Sequence, residues 1–129
     1  MSPDIALLFW GLVLFESKHF LCDFVLQTSY QAVNKGTYGH PGGLIHAGLH
    51  FLGSIPAILL LTRSPLLIGA LLFGELLVHY HADWLKEQIN RARGLGYEHM
   101  LFWVVFGADQ FVHQMTYVIA LAVIVRFGA

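Results

Sequence analysis

Charge is scarce in this sequence. Asp, Glu, Lys and Arg make up 12% of the 129 residues, about half the share of an average soluble domain. So few charges cannot cover a water-facing surface on a chain that is 57% apolar. Eight acidic and seven basic residues nearly cancel, which excludes the broad basic face of a nucleic-acid-binding protein. Cysteine is almost missing: Cys22 stands alone, so neither an internal disulfide nor a cysteine-rich zinc motif can form. Period-2 alternation bounded by hairpin turns is also absent, which excludes a membrane β-barrel. Aromatics, by contrast, reach 14%, and that abundance excludes disorder. What remains is an all-α integral membrane protein.

A helix crosses the hydrocarbon core with about 20 mostly apolar residues. Four segments qualify, roughly Ile5–Leu26, Leu44–Thr62, Leu66–Leu85 and Met100–Arg126, and the stretch Gly36–Thr62 has no Asp, Glu, Lys or Arg. Ser64-Pro65 is a suitable cap and first-turn pair for the third span, and Arg93-Gly94-Leu95-Gly96 breaks the chain before the fourth. The first span lacks a basic start and a small-residue cleavage site and continues through Lys18, His19 and Asp23, so it reads as a retained helix rather than a signal peptide. The expected fold is a single domain over residues 1–129, a four-transmembrane-helix bundle of two hairpins, 1–62 and 63–129.

Each span carries one pair of ionisable residues four positions apart: His19 and Asp23, His46 and His50, His79 and Asp83, Asp109 and His113. That spacing stacks both side chains on one helix face. Carboxylates within spans face the bundle interior and need partners there. In an up-down bundle all four pairs fall at the same membrane face, beside the two longer connections. A single pair reads equally well as a satisfied contact between helices. Five imidazoles and three carboxylates at one depth read instead as a metal site, since bundles build such sites from facing helices. Imidazole suits zinc and iron, and carboxylate also suits manganese. One or two divalent ions are expected, zinc first, with three carboxylates against two ions leaving about one positive charge.

An internal repeat supports a shared site. The first span reads Glu16-Ser-Lys-His19-Phe-Leu-Cys-Asp23-Phe and the third Glu75-Leu-Leu-Val-His79-Tyr-His-Ala-Asp83-Trp. Two like hairpins imply a pseudo-two-fold axis along the membrane normal, with the site between them. Glu16 and Glu75 lie one turn deeper. Glu16 is a candidate to orient imidazoles from behind, and Glu75 or Gln110 to position a water. A carboxyl kept neutral by burial is the plainer reading of either glutamate. Pro41-Gly42-Gly43 leads into the second span, whose free N–H groups could hold an anion, with Lys35 in the preceding polar connection as a second anion contact. A turn and a solvated loop are the plainer readings there. His81 falls off the His79/Asp83 face, and His40 and His99 sit in connections, so none is expected to ligate.

His19-Phe-Leu-Cys-Asp23-Phe-Val-Leu-Gln27, His46-Ala-Gly-Leu-His50, His79-Tyr-His-Ala-Asp83-Trp-Leu-Lys86 and Asp109-Gln110-Phe-Val-His113 together resemble a bacterial membrane family known as domain of unknown function 3307. The resemblance covers most of the chain and implies a fold of membrane helices, with no activity attached. In ligand style alone, the pattern is more loosely similar to the metal-dependent hydrolases of the inner membrane.

The function expected from these residues is a metal-dependent hydrolase acting at the cytoplasmic face on a phosphoester, lipid-derived in the first instance. A di-iron oxidoreductase stays open, although such bundles usually carry Glu-x-x-His pairs. A metal carrier or sensor, or a purely structural polar bundle, stays open as well. The expected partners are the lipid bilayer and the phosphorylated substrate, with a homo-oligomer left open. Lys35 lies in the first long connection and Lys86, Arg91 and Arg93 in the second, against Arg63 and Arg126 at the other ends of the spans. By the positive-inside rule both long connections face the cytoplasm of a bacterial inner membrane. A reporter fused after Ala129 is therefore expected to be active on the periplasmic side, and cytoplasmic activity there would reverse the topology.

Overall fold

The computed structural model describes residues 4–128; residues 1–3 and 129, included in the single-domain reading, lie outside them. Five α-helices follow in chain order: α1 (Ile5–Phe20, continued by a π-helical turn over Leu21–Val25), α2 (Ser29–Asn34), α3 (Pro41–Leu61), α4 (Pro65–Arg93) and α5 (Met100–Phe127). All but α2 are long and apolar enough to cross a membrane, as in a multi-pass membrane protein. Local chemistry sets their ends. Thr28 and Gln31 form a reciprocal capping box on α2. His40 accepts from Gly42 N ahead of Pro41, and Ser64 accepts from Leu67 N ahead of Pro65. Gly94, at φ 61°, closes α4 in the left-handed region.

The spans pack in the ring α1, α3, α4, α5 and back to α1. This up-down order places α1 opposite α4 and α3 opposite α5, as the repeat of two hairpins requires. Both long connections lie at one end, where Gln88 and Arg91 of α4 donate to Gly36 O at 2.7 and 3.1 Å.

Three boundaries depart from expectation. α4 continues past Leu85 to Arg93 because no breaker precedes Gly94. At 29 residues it is about 43 Å long, well over the roughly 30 Å hydrocarbon core. α3 begins at Pro41 rather than Leu44, proline being suited to a first turn. The connection expected to be a plain loop contains α2, which packs on the start of α3. Lys35 and Lys86 are consequently buried, not loop charges.

The bundle interior has two halves. Near the termini it is apolar: Phe15, Ile58, Leu61, Leu72, Tyr117 and Ile124 form one cluster, with Phe15 stacked on Tyr117 at 5.0 Å between ring centroids. Towards the connections it is polar, and the buried face of α4 runs Leu72, Glu75, His79, Asp83, Lys86, Asn90. The outer faces carry Phe9, Trp10, Leu52, Phe73, Phe111 and Ile119, all exposed, as lipid contact demands. Phe15→Ala should lower stability by about 3 kcal/mol, the low end for a buried phenylalanine, because in lipid the loss is of packing more than of transfer. Thermal unfolding in detergent would measure it, and an unchanged midpoint would show that the apolar half does not hold the bundle.

Candidate metal centre

The i,i+4 pairs meet as the spacing requires. All eight residues are buried in one layer at the connection end. His50, His79 and His113 form a stack, with ring centroids 3.7 Å apart for the first two and 4.0 Å for the last two. Potential ligand atoms cluster in two groups that share His79: Asp23, His46, His50 and His79, and His79, Asp83 and His113. The π-helical turn at Leu21–Val25 contains Asp23, and such bulges are frequent at functional sites.

One triangle of atoms stands out. His46 Nε2 and His79 Nε2 are 3.3 Å apart, and Asp83 Oδ2 lies 3.2 Å from the first and 3.3 Å from the second. Tetrahedral zinc with ligand bonds of 2.0–2.1 Å has ligand–ligand edges of about 3.3 Å. Asp83 Oδ2 is buried and has no hydrogen-bond partner, and the same is true of His113 Nε2 and Asp109 Oδ1, which are 3.2 Å apart. Unsatisfied buried polar atoms are costly, and a cation at the triangle would satisfy Asp83 Oδ2. Asp23 Oδ1 adds a carboxylate 3.1 Å from His46 Nε2. These side chains fit a metal ion.

His19 and His50 are committed to other partners, and Asp109 through one of its two oxygens. His19 Nε2 donates to Gln110 Oε1 at 2.9 Å, and its Nδ1 accepts from the Tyr117 hydroxyl at 3.0 Å, so a neutral ring has no free lone pair. Lys18 Nζ is a donor only and sits 3.2 Å from His50 Nδ1. The single proton of neutral His50 is then on Nε2, which donates to Asp23 Oδ1 at 2.9 Å. Asp109 Oδ2 accepts from Lys86 at 2.9 Å and from Gln110 at 3.3 Å. Unpartnered acceptor atoms thus remain on Asp83, Asp109 and His113, with His46 and His79 facing the first of these.

The other candidates change role. Gln110 is a tie rather than a free water-positioning group, since its amide nitrogen donates to both Asp23 and Asp109. Glu75 is buried but occupied by an ion pair with Lys18. Glu16 is half-buried and takes part in none of the cluster's ion pairs, so the repeat is broken at this position. Gly42 and Gly43 pack closely against the α2 segment. A side chain at Gly42 would collide with Asn34 Cβ and Tyr30 O, and one at Gly43 would crowd the Lys35 backbone at 3.2 Å. They are small so that α2 can lie against α3, and His40 already caps the helix start. Lys35 does reach the site: it donates to Asp83 Oδ1 at 3.3 Å and to Gln27 Oε1 at 3.0 Å. His81 and His99 lie outside the cluster in exposed positions, and His40 serves as the α3 cap.

Sequence reasoning missed Lys18 and Lys86, which were left as span and loop charges. Lys86 lies between Asp83 and Asp109 at 3.0 and 2.9 Å. The signal was present in helical spacing: Lys86 is three residues beyond Asp83, and Lys18 falls on the buried line Gly11, Phe15, Lys18, Cys22. Their effect is electrostatic. Lys18, Lys35 and Lys86 now face Asp23, Glu75, Asp83 and Asp109, so a single divalent ion already turns the formal balance positive. This corrects the estimate of three carboxylates against two ions.

Breaking one buried pair strands a charge, whereas removing both partners does not. Lys18→Met should therefore cost about 3–5 kcal/mol, and Lys18→Met combined with Glu75→Leu should recover most of it, by thermal or denaturant unfolding in detergent. A double variant as unstable as the single one would show that the pair is not the relevant contact.

The family model described as "Protein of unknown function (DUF3307)" matches residues 11–128. No curated protein and no solved structure matches the chain.

Proposed function

The chain belongs to the DUF3307 family, and from the geometry of its core we propose that it is a membrane-embedded metal-binding protein, a metal-dependent hydrolase acting on a phosphoester. The observation that carries the reading is the triangle of His46 Nε2, His79 Nε2 and Asp83 Oδ2 with edges of 3.2–3.3 Å. A single ion, zinc by its donor set, would be held by these three groups with Asp23 and His113 alongside. Such an ion supplies Lewis acidity and a water that ionises near neutral pH.

The chain's own residues do the rest. Asp109, with Oδ1 unpartnered and 3.2 Å from His113 Nε2, is the proton acceptor. Attack of the water oxygen on phosphorus breaks the P–O ester bond, and the departing alcohol oxygen takes up a proton. Lys35 and Lys86 offset the charge of the phosphoryl oxygens. Gln110 and His19 act as positioning residues that hold Asp23 and Asp109 in place.

The apolar half of the bundle favours an enzyme over a carrier. Phe15, Ile58, Leu72 and Tyr117 form an apolar cluster next to the Lys18–Glu75 pair, and among the described residues the buried ionisable side chains all lie on its connection side. That face is proposed to be cytoplasmic in a bacterial inner membrane. Positive-inside bias acts on connections as they insert, before Lys35 and Lys86 find their carboxylates. An oxidoreductase would draw on the same donors, and bound iron with an oxo-bridge absorption would favour it over the hydrolase.

Metal content per purified chain tests the reading. Asp83→Asn and Asp23→Asn keep shape and remove one coordinating anion each, and each should weaken metal retention at least tenfold, since even residues behind the ligands typically cost about 10–100-fold. His81→Ala, exposed and outside the cluster, should retain metal as the parent does. Wild-type metal in both Asn variants would show that Asp23 and Asp83 are not ligands and overturn this site, and no stoichiometric metal in the parent would remove the metal and the hydrolase with it.

A further inference from the structure

Two cavities share Lys86 in their linings. One is a cleft of about 710 Å³ at the connection end, walled by Lys35, Lys86, Asn90 and Arg91 and, across from them, Tyr97 and Trp103. Three cations line it against one carboxylate, Glu87. The other is a groove of about 400 Å³ along the outside of α4 and α5, lined by Val78, Leu85, Ile89, Val105, Ala108 and Val112 and reaching Asp109. Lys86 lines both cavities. A cationic chamber and an apolar slot that share one lining residue match the two parts of an amphiphile.

The polar groups are also available to a ligand. An ammonium has three N–H donors, and Lys86 spends two on Asp83 and Asp109, leaving one. Lys35 likewise spends two, on Gln27 and Asp83. Asn90 lies one turn beyond Lys86, is more than nine-tenths buried, and its Oδ1 has no hydrogen-bond partner. A phosphate monoester satisfies both needs: its oxygens accept from Lys35, Lys86 and Arg91, and its remaining P–O–H donates to Asn90. An acyl chain is the occupant that suits the groove, because the groove is mainly apolar and runs along two helices long and apolar enough to cross a membrane.

We infer that this site binds a membrane lipid with a terminal phosphate, the phosphate in the cleft and one acyl chain in the groove between α4 and α5. This names the substrate class of the proposed hydrolase and rests on that reading for the reaction, but not for binding. Phosphate chemistry alone would also suit a soluble phosphoester, and the test separates the two sources.

The full chain in detergent, with metal quantified in the same sample, is mixed with phosphatidic acid, with phosphatidylcholine or with inorganic phosphate, and bound lipid is read by native mass spectrometry. Phosphatidic acid should be retained at one per chain, at least tenfold, or about 1.4 kcal/mol, more tightly than phosphatidylcholine, and millimolar phosphate should not displace it. Ala108→Phe fills the groove without touching a charge and should lower retention about tenfold or more. Arg91→Gln, on the exposed rim, should also weaken phosphatidic acid and leave phosphatidylcholine unchanged, which covers the case of a misfolded Ala108→Phe. Equal retention of the two lipids, displacement by phosphate, or two folded variants that bind normally would each overturn the inference. Lipid bound without stoichiometric metal keeps the lipid site and removes the hydrolase; metal without lipid selectivity does the reverse.

Discussion

Every other feature of this bundle depends on one constraint: a charge inside a bilayer must find its partner inside the protein. Three lysines and four acidic side chains are buried among the helices, and each lysine contacts at least one carboxylate. The helices are therefore inverted relative to those of a soluble bundle. Their apolar faces point outward to lipid and the polar face of α4 points inward. Association of the spans rests on this network at one end and on packing of Phe15, Ile58 and Tyr117 at the other, since lipid offers no hydrophobic drive between helices.

The unequal division of the interior shapes what the cluster can do. An imidazole–carboxylate layer running the full thickness of the membrane would suit conduction. Here the layer stops at an apolar plug, with Lys18 and Glu75 as its deepest ionic contact. The ionisable layer is thereby confined to the end where α2 and the α4–α5 connection gather. There Asn90, Arg91 and Lys86 line a cleft outside the cluster, and Asp109 and Lys86 line the groove.

The lysines also decide how much positive charge the site can accept. In a low-dielectric interior an ammonium beside a carboxylate and a metal on the same carboxylate are competitors. Lys86 shared by Asp83 and Asp109, and Lys35 on the same Asp83 oxygen, leave Asp83 Oδ2 free on the opposite side of the carboxylate. The two oxygens of Asp83 thus face different tasks. The first is tied to ammonium groups and the second points at His46 and His79.

By itself the sequence determined the class of the molecule. Low charge, four long apolar stretches and an i,i+4 pair in each are sufficient to specify a helical membrane bundle whose pairs converge, because helical period and bilayer thickness are properties of any chain. It also placed His19, Asp23, His46, His50, His79, Asp83, Asp109 and His113 in one layer, as the structure shows. Tertiary structure alone decided which of those atoms stay free. Whether His19 faces Tyr117, whether Lys18 reaches Glu75 across the bundle, and whether Gly42 makes room for an anion or for α2 are contacts between residues distant in sequence. Spacing along a helix sets the face a side chain occupies. Which partner crosses the interior to meet it depends on the depth, rotation and rotamers of neighbouring helices, and no local pattern encodes those.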